Sequence, residues 1–129
     1  MFVNPYNGVM LTAIETTDRR EIPLRVKGCC QPVASPIAGA QTEEFAATFR
    51  ALADPTRLQM VHILAAASEP VCVCDFTAAF DLGQPTISHH LARLREAGLV
   101  TSTRRSIWTF HQLNPDMSPA AREAVALIH

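Results

Sequence analysis

Gln84-Pro85-Thr86-Ile87-Ser88-His89-His90-Leu91-Ala92-Arg93-Leu94-Arg95-Glu96-Ala97-Gly98-Leu99-Val100 reads as one short helix with both ends marked. Pro85 suits the first helical position, where its missing N–H costs nothing. Gly98 suits the place just past the end, where a left-handed residue closes a helix. Ile87, Leu91 and Leu94 recur at i, i+4 and i+7 and form a narrow apolar stripe. Thr86, Ser88, His89, Arg93 and Arg95 occupy the other faces. These are hydrogen-bond donors and cations on a slim helix, the surface that reading a DNA major groove requires. Taken alone, the stretch fits equally well an ordinary amphipathic helix with a solvated face, so its neighbours decide.

Upstream, a helix over about 75–81 would bury Phe76, Ala79 and Phe80, and Leu82-Gly83 makes a tight turn into the stretch. Helix, short turn with glycine, helix is the helix-turn-helix pattern. Downstream, Leu99–Thr103 and Ile107–Leu113 read as two strands, the second rich in β-branched and aromatic residues. Arg104-Arg105-Ser106 falls between them as an exposed tip. An arginine-tipped hairpin beside a recognition helix is a wing that can reach phosphates or the minor groove. The alternative is a plain surface hairpin with solvated arginines.

Thr42 can cap a helix over about 43–53, with Glu43 and Glu44 in its first turn and Phe45, Phe49 and Leu52 on one face. Asp54-Pro55 ends it and starts the next, over about 55–67, with Leu58, Val61, Leu64 and Ala65 as its buried stripe. Ser118-Pro119 opens a last helix whose apolar face is Ala121, Ala124, Val125 and Ile128. It is rich in small residues and suits packing against its twin, or against the first helix, in a second subunit. The expected fold is mostly α with a small β-hairpin, a winged helix-turn-helix over residues 42–129. Residues 1–41 carry seven Pro and Gly with weak periodicity and read as an arm, with an extended piece around Ile22–Val26.

The chain has 129 residues, 48% hydrophobic and 18% charged, enough for one domain with a real core. No apolar run approaches the roughly 20 residues of a membrane span. Met1–Thr17 shows no basic segment followed by an apolar core, so the expected compartment is the cytoplasm, with cysteines mostly reduced. The net charge of −1 argues at first against nucleic acid. Its distribution argues for it, because Arg93, Arg95, Arg104 and Arg105 stand against Glu96 alone between Gln84 and Leu113. No Cys–His–Asp set or H-E-x-x-H pattern appears, so the chain is not expected to be an enzyme.

Val71-Cys72-Val73-Cys74 reads as a short extended piece leading into Asp75. In a strand, Cys72 and Cys74 would point the same way, roughly 6–7 Å apart. They also precede a helix N-terminus, which lowers a thiol pKa, and thiolates select soft ions. The pair reads either as metal ligands or as two small buried residues of a strand. Cys29-Cys30, between Gly28 and Pro32, reads either as further ligands or as a redox or bystander pair. His89, His90 and His111 suit DNA-facing or core positions, with His90 nearest the apolar stripe.

The helix order, the Leu52-Ala53-Asp54-Pro55-Thr56-Arg57-Leu58 junction, the Val71–Asp75 box and the Gln84–Val100 run together resemble the ArsR/SmtB family of metal-sensing transcriptional repressors, over about residues 43–128. The resemblance implies a homodimer that binds palindromic operator DNA and lets go when a metal or metalloid binds. It implies DNA contacts from Gln84, Thr86, Ser88, His89 and Arg93, with Arg104 and Arg105 on phosphates or the minor groove. Within this family's box, Cys72 and Cys74 read as a ligand pair. The arsenic-sensing branch often has a third cysteine where Thr77 stands here, which leaves Cys29 and Cys30 to complete a site for arsenite or antimonite. Four thiolates would equally suit Cd²⁺, Pb²⁺ or Zn²⁺. A thiol-oxidising repressor of the same fold is the remaining alternative. Many relatives have glycine near Ser106.

Overall fold

The computed structural model describes residues 33–129. Most of the expected arm, the extended piece around Ile22–Val26 and the Cys29-Cys30 pair lie outside the described residues.

Helix α1 spans Gly39–Leu52 and helix α2 spans Pro55–Ala66. Helix α1 starts ahead of the expected Thr42 cap. Thr42 lies inside it, and its hydroxyl donates to the carbonyls of Ala38 (3.2 Å) and Ile37 (3.4 Å). A threonine inside a helix satisfies its hydroxyl this way as readily as by capping. Thr48, Ala51 and Leu52 face the core, while Phe49, expected on one face with Phe45 and Leu52, is 62% exposed. At the junction, Asp54 accepts from the Arg57 N–H at 2.9 Å and caps α2, as Asp54-Pro55 led us to expect. The Arg57 side chain donates to the carbonyls of Ala51 and, at 3.2 Å, Arg50, satisfying the end of α1. The buried face of α2 is Met60, Val61 and Leu64, and Leu58 is turned outward. Leu58, Met60, Val61, Ile63 and Leu64 surround this helix with apolar groups, so periodicity alone does not fix which side faces in.

Strand β1 is only Val71–Cys72, and helix α3, Val73–Phe80, begins where the extended piece was expected to continue. Phe76 is fully buried and Phe80 half-buried, but Ala79 is exposed, contrary to expectation. Asp81, left-handed at φ 50°, ends α3, and Leu82-Gly83 leads into helix α4, Gln84–Glu96. Ile87, Leu91 and Leu94 are essentially fully buried, each contributing about 1.5–3 kcal/mol. Gly98, at φ 76°, closes α4 as expected. The Gly98 N–H reaches the Arg95 carbonyl and the Leu99 N–H reaches the Leu94 carbonyl, both at 3.0 Å, a Schellman motif with Leu94 and Leu99 buried together.

Strands β2, Val100–Arg105, and β3, Trp108–Leu113, form the hairpin. Their register runs from Val100↔Leu113 to Arg105↔Trp108, and β1 pairs antiparallel on the other side of β3, giving the order β1-β3-β2. The expected tip shifts: Arg104 and Arg105 belong to β2, and Ser106-Ile107 make the turn. Ser106 takes φ 59°, the positive φ that a two-residue hairpin needs at its first position. Helix α5, Pro119–Ile128, is capped by Ser118, whose hydroxyl accepts from the Ala121 N–H at 3.1 Å, as expected. The core is Met60, Val61, Phe76, Ile87, Leu91, Leu94, Leu99 and Val100 at its centre, so α2, α3, α4 and the base of the hairpin share one apolar interior.

Candidate nucleic-acid interface and thiol pair

Burying Ile87, Leu91 and Leu94 commits the rest of α4 to solvent. Gln84, Thr86, Ser88, His89 and Arg93 are all exposed, as are Arg104 and Arg105 on the hairpin. They do not form one stripe. Gln84 and Ser88 line a cleft of about 200 Å³ that Val73, Arg95, Thr109 and His111 complete, so this flank faces the hairpin. Arg93 lies on the other flank, in a second cleft with Arg50, Arg57 and Glu96, and its guanidinium pairs with Glu96 at 3.3 Å. Arg95, in the sequence one cation among several on this helix, is a further residue of the site. It belongs with Gln84 and Ser88, and it donates to the Ser102 hydroxyl of β2 at 3.4 Å. Its position seven residues past Ser88, two helical turns on, was the available signal.

On the hairpin, Arg105 and Arg104 point to opposite faces, as successive strand residues must. The Arg105 guanidinium lies 5.4 Å from the Phe110 ring centroid, and Arg104 donates to the Ser106 carbonyl at 3.2 Å. His90 is turned inward, as its place near the stripe suggested, with Nδ1 3.4 Å from Arg57 and 3.8 Å from the Asp54 carboxylate. The Asp54 carboxyl is held below the usual range, first by the Arg57 backbone N–H it accepts. His111 is buried in β3 with its Nδ1 unpartnered and packs edge-on against Phe76. Burial, then the nearby Arg95 charge, pushes its pKa below the ordinary histidine value.

The thiols meet at the start of α3. Cys72 is buried at the N-cap, its sulfur in the acceptor place of a capping box, and its backbone N–H donates to the Asp75 carboxylate at 3.2 Å. Cys74 is exposed in the first turn, and both thiols are free. They are not two alternate residues of a strand, because the strand ends at Cys72 and the helix begins at Val73, between them. The Cys74 thiol is pushed up from the ordinary thiol value, first by the neighbouring Cys72 thiol, then by desolvation and the nearby Cys72 and Asp75 charges, against the lowering expected of a helix N-terminus. The donor set suits a soft, thiophilic ion but supplies only two sulfurs. Among the described residues no cluster of three or more His, Cys, Asp or Glu could hold a metal.

Helices α1 and α5 border an apolar groove of about 460 Å³, lined by Phe45, Phe49, Ala120, Ala124 and Leu127, the last 90% exposed. Among the described residues no helix is long and apolar enough to cross a membrane.

Residues 54–102, from the α2 cap to β2, match the family described as "Bacterial regulatory protein, arsR family". Over 69 residues the chain is 45% identical to the arsenic resistance transcriptional regulator ArsR1 of Pseudomonas putida, covering 54% of this chain and 53% of that one. Over 77 residues it is 42% identical to the arsenical resistance operon repressor of Escherichia coli, covering 60% and 65%. The chain thus spans between about half and two thirds of the length of these curated relatives. Its fold is similar to that of HlyU from Vibrio cholerae, with a TM-score of 0.61 at 25% identity, over 71% of this chain and 95% of that one. With its helix-turn-helix, its hairpin wing and these relatives, the chain belongs to the arsR family of bacterial regulatory proteins.

Proposed function

We propose that this chain is a cytoplasmic transcriptional repressor that acts as a homodimer on double-stranded operator DNA and is released when arsenite binds its cysteine thiolates. The observation that carries this is the location of the thiol pair. Cys72 is paired into the wing strand β3, and Cys74 opens the helix that packs on α4. One four-residue segment therefore touches both elements offered to DNA. The names of the two curated relatives support arsenic as the effector class.

In this proposal Gln84, Thr86, Ser88, His89 and Arg93 meet base edges and phosphates, joined by Arg95 on the wing side. Arg104 and Arg105 meet phosphates or the minor-groove edge. Cys72 and Cys74 supply two thiolates, and Cys29 or Cys30, of the same or the second subunit, supplies the third that trivalent arsenic takes. Antimonite has the same chemistry. Cd²⁺, Pb²⁺ or Zn²⁺ would use all four thiolates. The groove between α1 and α5 is the dimer face, and the two α4 helices must then meet half-sites about 34 Å apart.

The test is a fluorescence-anisotropy titration of the reduced protein on its own upstream DNA, adding arsenite and then Cd²⁺. Release by arsenite supports the proposal. Release by Cd²⁺ alone makes the chain a four-thiolate divalent-ion sensor. Tight binding indifferent to both hands the cysteines to redox sensing, to be read as disulfide formation by mass after peroxide. Absence of any binding refutes the DNA role.

A further inference from the structure

The hairpin turn carries a residue that its own fold does not use. Arg105↔Trp108 is the last pair of the ladder, which leaves Ser106-Ile107 as the whole turn. Small or polar residues reverse a chain best, because they tolerate the turn backbone and stay hydrated. Here Ile107 is 75% exposed, lies outside the apolar core, and is followed by Trp108, itself 48% exposed. An isoleucine and a tryptophan thus project from the point of the molecule farthest along the wing. The cations Arg104 and Arg105 end the strand before the turn, one on each of its faces, with Ser106 between them and Ile107.

Apolar tip and flanking arginines are the chemistry of a minor-groove wedge. The cations sit on the phosphates that border the groove, and the apolar side chain enters between two base pairs and partly unstacks them. We infer that Ile107 is such a wedge and that the protein bends the DNA it binds, with Trp108 packing behind it on the sugar edges. This rests on the DNA-binding role proposed above and adds to it a residue that no helix contact supplies. Because pyrimidine–purine steps unstack most easily, the wedge also sets a sequence preference where the wing lands, outside the bases read by α4.

The experiment uses the full reduced chain without metalloid and its upstream DNA fragment carrying a fluorophore at each end. Wild type should shorten the end-to-end distance by an amount equal to a bend within about 20–90°. Ile107→Ser should remove most of that bend while weakening binding by no more than about tenfold, the worth of one modest apolar contact. Ile107→Met should restore the bend, since methionine also serves as a wedge. Unchanged melting temperatures for both variants show that the turn still folds. A bend identical in wild type and Ile107→Ser, or unbent DNA in a tight wild-type complex, overturns the inference and leaves the repressor proposal standing. Failure of wild type to bind the fragment at all removes both. A tip that instead serves a protein partner would leave binding and bending untouched by either substitution.

Discussion

Replacing Gly98 by alanine isolates the cost of one backbone angle at the point where α4 hands the chain to the wing. Gly98 holds φ 76°, and a Cβ built there meets nothing within 4 Å. No side chain has to move, so the penalty is the left-handed conformation itself, about 1–2 kcal/mol for a residue with a Cβ. Alanine also narrows the unfolded ensemble, which returns about 0.4–1 kcal/mol. The net destabilisation is then about 1 kcal/mol. In a domain of this size that lowers the melting temperature by about 4–8 °C. Asparagine tolerates the left-handed region, so Gly98→Asn should lose visibly less. Thermal unfolding followed by circular dichroism, at one fixed protein concentration so that self-association cancels, measures both. An alanine variant that melts within about 1 °C of wild type, or an asparagine variant as damaged as alanine, would refute the assignment of the cost to φ. A far larger loss would mean that the Gly98 and Leu99 hydrogen bonds to Arg95 and Leu94 also break.

Asp54→Ala removes the α2 cap and should cost about 0.5–2 kcal/mol in a urea titration, with Asp54→Asn losing less because asparagine caps as well. His111 is buried with its pKa depressed, so the unfolded chain binds that proton more readily than the folded one. Its contribution is complete above the unfolded value of about 6.5 and is lost as pH falls below it. Melts at pH 7.5 and pH 5.5 should differ for wild type, and His111→Gln should flatten the difference; the depressed Asp54 carboxyl acts only in the more acid range of carboxylates and does not overlap it. Leu127→Glu places a charge on the exposed α5 face and, for the homodimer proposed above, should shift sedimentation toward monomer with little change in monomer stability; a variant that stays dimeric puts the dimer face elsewhere.

Three helix ends were legible because each is a local matter of one cap residue: Asp54, Ser118 and Gly98 do what their chemistry favours, whereas Thr42 spends its hydroxyl on carbonyls inside α1. The inward side of α2 was not legible, because a helix with apolar groups on every side takes its orientation from what packs on it, here α5, strand β3, α1 and α4. The two thiols were visible as a pair but not as a helix start, since cysteine is an uncommon cap and Val71–Cys74 alternates like a strand. For Cys74 the helix N-terminus is legible in the sequence, but not the neighbouring Cys72 thiol that raises its pKa. The turn slipped because a serine, not a glycine, takes the positive φ, so nothing in Arg104-Arg105-Ser106-Ile107 marks which two residues turn. The α4 face was legible residue by residue, but its division into a wing-side and an α2-side flank depends on where the hairpin folds back, and that placed Arg95 beside Ser88.

Cys72 links these features, and a pair of substitutions separates its two roles. Its sulfur stands where a capping acceptor belongs, and sulfur is a weak acceptor. A serine oxygen in the same place is among the preferred caps, so Cys72→Ser should fold at least as well as wild type and bind DNA as tightly, while losing one proposed thiolate and with it the response to arsenite. Cys72→Ala loses both the cap and the thiolate. The cap difference between these variants, at the low end of about 0.5–2 kcal/mol, is of the same order as the coupling of about 1–3 kcal/mol by which an effector typically changes affinity at a second site. A change confined to the start of α3 is therefore large enough to alter DNA affinity without refolding the domain, because β1 ties that start to the wing and α3 ties it to α4. Constitutive release by Cys72→Ser would break this chain of reasoning at its first link, showing that DNA binding needs the sulfur itself.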